Sequence, residues 1–252
     1  VETADGRHFS ADFVVSACDA RRTFLDMLDP EVVPADLRAR LPKMDLTPSI
    51  YQVQLGVDMD LEPYHADIKR LNFIYPSDDI DQATKNFSQG NVEEAAFFLY
   101  VATFHQPEMA PPGKHSLKLE AYTTLESKGI DWERDKERIS EVFIRRAEKL
   151  IPNLGQHIVT KEMRTPQDLL RDTGNSEGAF AGWAFTPEFL SRGRPKQRTP
   201  VPGLYLAGHW TTPSAGVPWV MVSGFNTAGM VIADRKGGRK LPDPRTMLNR
   251  RK

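Results

Sequence analysis

A single cysteine, Cys18, stands in 252 residues. No internal disulfide can staple the chain, so its stability must come from packing, and a reducing compartment is the simpler setting. A zinc site is not expected either. His105 and His115 are not at convincing ligand spacing, and a single cysteine supplies no thiolate cluster. We therefore expect no metal. No apolar run is long enough to span a bilayer and no signal-peptide pattern opens the chain, which points to a cytoplasmic protein with at most peripheral membrane contact. Neither sign of charge dominates: Lys and Arg total 33, Asp and Glu 34, for a formal net charge of -1. That balance excludes the basic footprint of a nucleic-acid binder. There is no Gly-x-Gly-x-x-Gly following a strand, and hence no dinucleotide-cradling turn of that kind. An initiating methionine is also missing. Val1 opens what reads as half a hairpin around Asp5-Gly6, so we expect a piece cut from within a domain.

Hydrophobic residues make up 40% of the chain, enough for a real core. Phe13-Val14-Val15-Ser16-Ala17-Cys18 is short and rich in β-branched residues, and reads as a buried strand. Ala20 to Leu28 reads as a helix. Pro30, Pro34, Pro42 and Pro48 then punctuate a connecting region with a short helix over residues 35 to 41. From Ser49 the pattern alternates, with Tyr51, Val53, Leu55 and Val57 against Gln52 and Gln54, as in a half-buried strand. Residues 71–75, 95–104, 116–123 and 158–164 are further strand candidates. Asp131 to Ile151 is the strongest helix, with Asp131 as N-cap and Ile139, Val142, Phe143, Ala147, Leu150 and Ile151 on one stripe. Residues 192–202 are basic and proline-rich and read as a surface connector. Gly203 to Gly208 reads as a short buried strand, followed by a loop and a helix from about Pro218 to Lys236. Gly237-Gly238 is placed to stop that helix, with Arg235 and Lys236 in its last turn.

The expected fold class is therefore α/β (α+β), with a discontinuous first domain. Residues 1–45 and 192–240 read as strand-and-helix pieces of one Rossmann-like domain, residues 46–191 as an inserted sheet-and-helix domain, and residues 241–252 as a basic tail.

The chemistry-bearing stretch is residues 203–221. A strand ending at Gly208 lets a ligand or another backbone come close, and ligands of open α/β sheets bind beyond such carboxyl ends. Gly216 keeps the approach open and Pro218 suits a first helical position. The N–H groups of Trp219, Val220 and Met221 are then expected to point outward, suited to negative charge. Ser223, Gly224, Ala228 and Gly229 would let the helix pack tightly. The same pattern also describes an ordinary strand–loop–helix unit in which glycine only relieves crowding.

Leu204-Tyr205-Leu206-Ala207-Gly208, then Thr211, Pro213, Gly216-Val217-Pro218 and Ser223-Gly224, resembles the C-terminal FAD motif of the phytoene desaturase-like enzymes, which include carotenoid isomerases and retinol saturases. Asp5-Gly6 with Ala11 to Ala17 resembles the hairpin and strand that precede the substrate domain in that family, and Gly174, Gly178, Gly182 and Arg194-Pro195 fit its approach to the last FAD strand. The resemblance implies FAD as cofactor and an apolar polyene or isoprenoid substrate. It also implies a missing N-terminal segment carrying the pyrophosphate cradle. Candidate cofactor contacts are Gly208, His209, Gly216, Val217, Pro218, Trp219, Val220 and Met221. His209 stands where many flavoproteins carry an acidic residue, so a carboxylate's role does not transfer to it. No catalytic residue is assigned, because hydride removal to a flavin needs orientation and a dry pocket rather than a protein nucleophile. Trp210 and Trp219 read as flavin walls or as core. Phe97, Phe98, Tyr100, Phe104 and Tyr122 read as an apolar tunnel or as plain sheet core. Two other readings stand beside this one: an amine-oxidase-like flavoenzyme, and a binding or assembly module that keeps the fold without cofactor.

Overall fold

A computed structural model describes residues 1–187, 193–213 and 215–237. Residues 241–252, the expected basic tail, lie outside the described residues, as does Gly238. The fold is mixed α/β, with one parallel and one antiparallel sheet. The chain divides into two compact units, residues 1–47 with 181–252, and residues 48–180. The divisions fall after Thr47 and after Phe180, against expected positions near 45 and 191.

The second unit is built on five strands. These are β2 (Ser49–Val57), β3 (Leu71–Ile74), β4 (Phe97–Val101), β5 (His115–Thr123) and β6 (Ile158–Arg164), ordered β3-β4-β5-β2-β6 with every pair antiparallel. Period-two alternation sets its two faces. Tyr51, Val53, Leu55 and Val57 of β2, Phe97, Leu99 and Val101 of β4, and Leu117, Leu119 and Ala121 of β5 are all buried on one face. Helix α4 (Trp132–Ala147) covers that face with Ile139, Val142, Phe143 and Ala147. The Asp131 side chain accepts from the Arg134 N–H at 3.0 Å, which satisfies one orphan donor of the first turn. Two helices of this unit carried no clear pattern in the sequence. One is α3 (Ile80–Asn86), and the other α5 (Pro166–Thr173), started by a capping box between Thr165 and Asp168 and ended by Gly174 in the left-handed region at φ 67°.

The first unit holds a two-stranded parallel sheet, β1 (Val14–Ser16) with β7 (Leu204–Leu206). It also holds the helices α1 (Ala20–Leu25), α2 (Ala35–Arg40) and α6 (Val217–Lys236). β7 is wholly buried, but β1 departs from the buried strand expected. Its residues are only partly covered and Val15 is 48% exposed, since β7 flanks it on one edge alone among the described residues.

Residues 194–201 differ from the surface connector read from their composition. Arg194, Gln197, Thr199 and Val201 are buried while Lys196 and Arg198 face outward. The segment runs beside β7: the Leu206 N–H donates to the Gln197 carbonyl at 2.8 Å, and Arg198 bridges to Tyr205. Its alternation was masked by prolines and charges.

Candidate functional site

The site is built where β7 ends and α6 begins. Buried hydrogen bonds lock the helix to the strand. The Thr227 hydroxyl donates to the Leu206 carbonyl at 2.8 Å, and the Gly208 N–H donates to Ser223 Oγ at 3.1 Å. Gln197 Nε2 donates to the Ser223 carbonyl at 2.7 Å and to Thr227 Oγ1 at 3.0 Å. Farther along, Asp234 accepts from the Tyr205 hydroxyl and from Arg198, the latter at 2.9 Å. Gln197 and Thr227 were not singled out in the sequence. Thr227 lies four residues after Ser223, the spacing that puts both on one helical face.

That polar stripe is the whole buried face of α6. Gly224, Ala228 and Gly229, expected to pack on backbone, are exposed, and no atom stands within 4 Å of where a Cβ on either glycine would lie. The apolar side chains face outward instead: Val217 is 72% exposed, Met221 70% and Phe225 82%.

At the head of the helix, Gly216 is the N-cap with φ 95°, a conformation natural to glycine. A Cβ there would meet nothing within 4 Å, so the approach to the first turn is open. Helix α6 starts one residue earlier than expected, at Val217, with Pro218 in its first turn. The unpaired donors shift accordingly. Val220 N–H donates to the Gly216 carbonyl at 3.0 Å, so Val220 and Met221 are inside the helical ladder and not free as expected. The N–H groups without an intrahelical carbonyl are those of Gly216, Val217 and Trp219, and no side chain caps them. Trp219 itself is half exposed.

Gly208 also adopts a positive φ, 92°, with the Ala17 carbonyl at 3.8 Å the nearest atom to a Cβ built there. The end of the strand is therefore open. His209 turns away from α6 in its described contacts. Its ring tilts on Trp210 with centroids 5.6 Å apart, and its Cδ2 would lie 3.0 Å from a Cβ at Gly182. Its Nε2 is buried without a hydrogen-bond partner among the described residues. Burial, and then the neighbouring Arg194 cation, hold the imidazole below its ordinary pKa, with Asp19 opposing. It is thus neutral near pH 7. Trp210 is core: its carbonyl accepts from Trp183 Nε1 at 2.9 Å, and the two indoles meet edge-on with centroids 5.0 Å apart. Among the described residues no group of His, Cys, Asp and Glu is arranged to hold a metal, and no helix is long and apolar enough to cross a membrane.

The aromatic residues of the second unit separate by face. Phe97 belongs to the core, and Phe104 packs against it. Phe98, Tyr100 and Tyr122 lie half-buried on the opposite face of the sheet.

An open helix N-terminus offering donors and bordered by exposed apolar side chains fits the ring edge of a flavin, which is flat, apolar on its faces and electron-rich at its carbonyl edge. Prolycopene isomerase of Arabidopsis thaliana is 29% identical over 242 residues, 93% of this chain and 38% of that protein. The lycopene-forming phytoene desaturase of Pseudescherichia vulneris is 27% identical over 242 residues, 93% of this chain and 48% of that protein. The chain thus spans less than half the length of these curated relatives. A solved oxidoreductase from Methanosarcina mazei shares the fold, with a TM-score of 0.50 at 20% identity, covering 89% of this chain and 44% of that one. Residues 1–232 match the flavin containing amine oxidoreductases, and the chain belongs to that family.

Proposed function

We propose that this chain is the C-terminal portion of an FAD-dependent oxidoreductase that takes hydride from an apolar polyene or isoprenoid substrate. The observation that carries the reading is the open first turn of α6 beside the end of β7. Bound FAD would supply the ring that accepts the hydride. The residues of the chain bind and orient. Gly208 and Gly216 leave room for close approach, and Val217, Pro218, Trp219 and Met221 contribute apolar surface that excludes water. The N–H groups of Gly216, Val217 and Trp219 stabilise negative charge at the ring edge by about 0.3–1 kcal/mol where exposed, and up to about 2 kcal/mol where partly buried. Val220 serves through its place in the helix, not through a free donor, and His209 holds the loop without transferring a proton.

In this reading residues 1–47 and 181–237 form part of an FAD-binding domain, and residues 48–180 form the substrate domain. The pyrophosphate cradle comes from residues outside this sequence, which has no Gly-x-Gly-x-x-Gly and covers under half of each relative. The isolated chain should accordingly bind FAD weakly, because the ring contacts alone must offset the cost of ordering a large flexible ligand. Peripheral contact with the membrane where such polyenes reside belongs to the same proposal.

The test is the spectrum of the whole protein and its reduction in the absence of oxygen. We expect flavin absorption that bleaches with a polyene and not with a primary amine. A colourless protein, or one bleached by the amine alone, would contradict the proposal.

A further inference from the structure

Among the described residues, the parallel pair β1–β7 is open along one edge only. Residues of a strand alternate the edge to which their N–H and C=O groups point. Val14 N–H donates to the Gly203 carbonyl at 2.8 Å, and Ala207 N–H donates to the Ser16 carbonyl at 2.9 Å, so Val14 and Ser16 face β7. Val15 turns its N–H and C=O to the other edge, where no described strand lies. On β7 both edges are taken. β1 flanks one, and on the other the Gln197 carbonyl accepts from Leu206 N–H. An open edge of this kind is a template for a further strand.

The side chains say what kind of strand fits. Val15 is in register with Tyr205, and register partners stand on the same face of a sheet. Tyr205 donates its hydroxyl to Asp234 of α6, so Val15 lies on the α6 side of the sheet, where it is nonetheless nearly half exposed. α6 carries no charged residue from Val217 to Ile232. Past its first turn the outward face continues with Phe225, Ala228 and Ile232, all exposed. Gly224 and Gly229 leave room there for another backbone. A surface helix ordinarily shows the reverse, with its charges outward. Parallel sheets are ordinarily covered on both faces, and two strands alone are marginal. An unpaired strand edge beside an uncharged helix face therefore suits an apolar strand and the segment that carries it.

We propose that a parallel, apolar strand joins the free edge of β1, and that the segment carrying it covers α6 over Phe225 and Ile232. Parallel is the sense both described strands already share, and sheets of one sense are over-represented. The occupant is part of the same longer protein: the alignment with the Arabidopsis prolycopene isomerase takes in 93% of this chain but 38% of that protein. The inference rests on the partial FAD-binding domain proposed above and says where the remainder joins it. Phe225 is thus surface in the 252-residue chain and core in the whole protein.

The experiment is hydrogen exchange at the Val15 amide, read at single-residue resolution against the rate of an unstructured peptide. In the whole protein we expect exchange slowed at least about tenfold, as for one added hydrogen bond. In the 252-residue chain the amide should exchange near the peptide rate. A Val15 amide that exchanges freely in the whole protein overturns the proposal. So does protection that appears in the 252-residue chain and grows with its concentration, because the occupant is then a second copy. Ile232→Lys tests the helix face separately. It should lower the urea midpoint of the whole protein and leave that of the 252-residue chain unchanged, and an unchanged midpoint in the whole protein overturns the cover over α6. A protected Val15 amide in a colourless whole protein would keep this inference and remove the flavin reading. A freely exchanging Val15 amide in a whole protein with flavin absorption would do the reverse.

Discussion

The longest helices of the two units place their apolar residues in opposite ways. In residues 48–180 the aromatic and aliphatic residues of β2, β4, β5 and α4 close on one another, and Phe143 is 1% exposed. In residues 1–47 and 181–237 the longest helix turns a polar stripe inward, Ser223 and Thr227, and leaves Phe225 82% exposed. Parallel strands are ordinarily covered on both faces, yet Val15 of β1 is 48% exposed. Helix α4 commits its apolar residues to a core, and α6 turns its own outward. The same residue type, phenylalanine, is therefore core on α4 and surface on α6.

The sharpest way to break that contrast is to truncate one phenylalanine in each. Phe143→Ala should cost about 3–5 kcal/mol, the usual range for a buried aromatic. Phe225→Ala should cost less than about 0.5 kcal/mol, as for a surface change. Urea denaturation of both variants checks the pair, and comparable losses would dissolve the distinction.

A smaller effect tests the inward stripe. Ser223→Ala removes the acceptor of the Gly208 N–H and a partner of Gln197 in a fully buried setting. We expect a loss of about 1–3 kcal/mol, the cost of stranding a buried polar group. Amide exchange at Gly208 should accelerate with it. An unchanged Gly208 amide would show that the strand end is held by other contacts.

The legibility of these features in the sequence followed from how local their signals are. β2 and α4 were plain because period two and period 3.6 run uninterrupted from Tyr51 to Val57 and from Ile139 to Ala147. α5 is not legible although Thr165 and Asp168 make a capping box, because the helix has only eight residues and their apolar content is low. The segment around Gln197 reads as surface because its buried residues include Arg, Gln and Thr, whose burial depends on partners in β7 and α6 that a local window does not contain. The site loop was recognisable from Gly208, Gly216 and Pro218. The register of the helix start was not, since Gly216 and Pro218 are compatible with either of two neighbouring first residues, and that choice moved the free donors to Gly216, Val217 and Trp219.

The smallest predicted effect concerns His209. Its folded pKa lies below the ordinary value, so the unfolded chain takes up the proton first as pH falls. The stability this histidine contributes is complete above about pH 6.5 and is lost as pH drops through the folded value. Thermal melts of wild type and His209→Gln between about pH 7.5 and pH 5 check the sign, with the variant showing the flatter profile. A steeper profile in the variant would mean that the imidazole is charged in the fold.

The most direct test of the account is the flavin content of the whole protein carrying Gly216→Leu, set beside His209→Gln. A leucine at φ 95° would be strained and would fill the open approach to the first turn of α6. The account predicts that Gly216→Leu loses most of its flavin while keeping its circular dichroism spectrum, and that His209→Gln retains flavin and turnover. Normal flavin content in Gly216→Leu together with an inactive His209→Gln would contradict it, and would move the chemistry to the histidine.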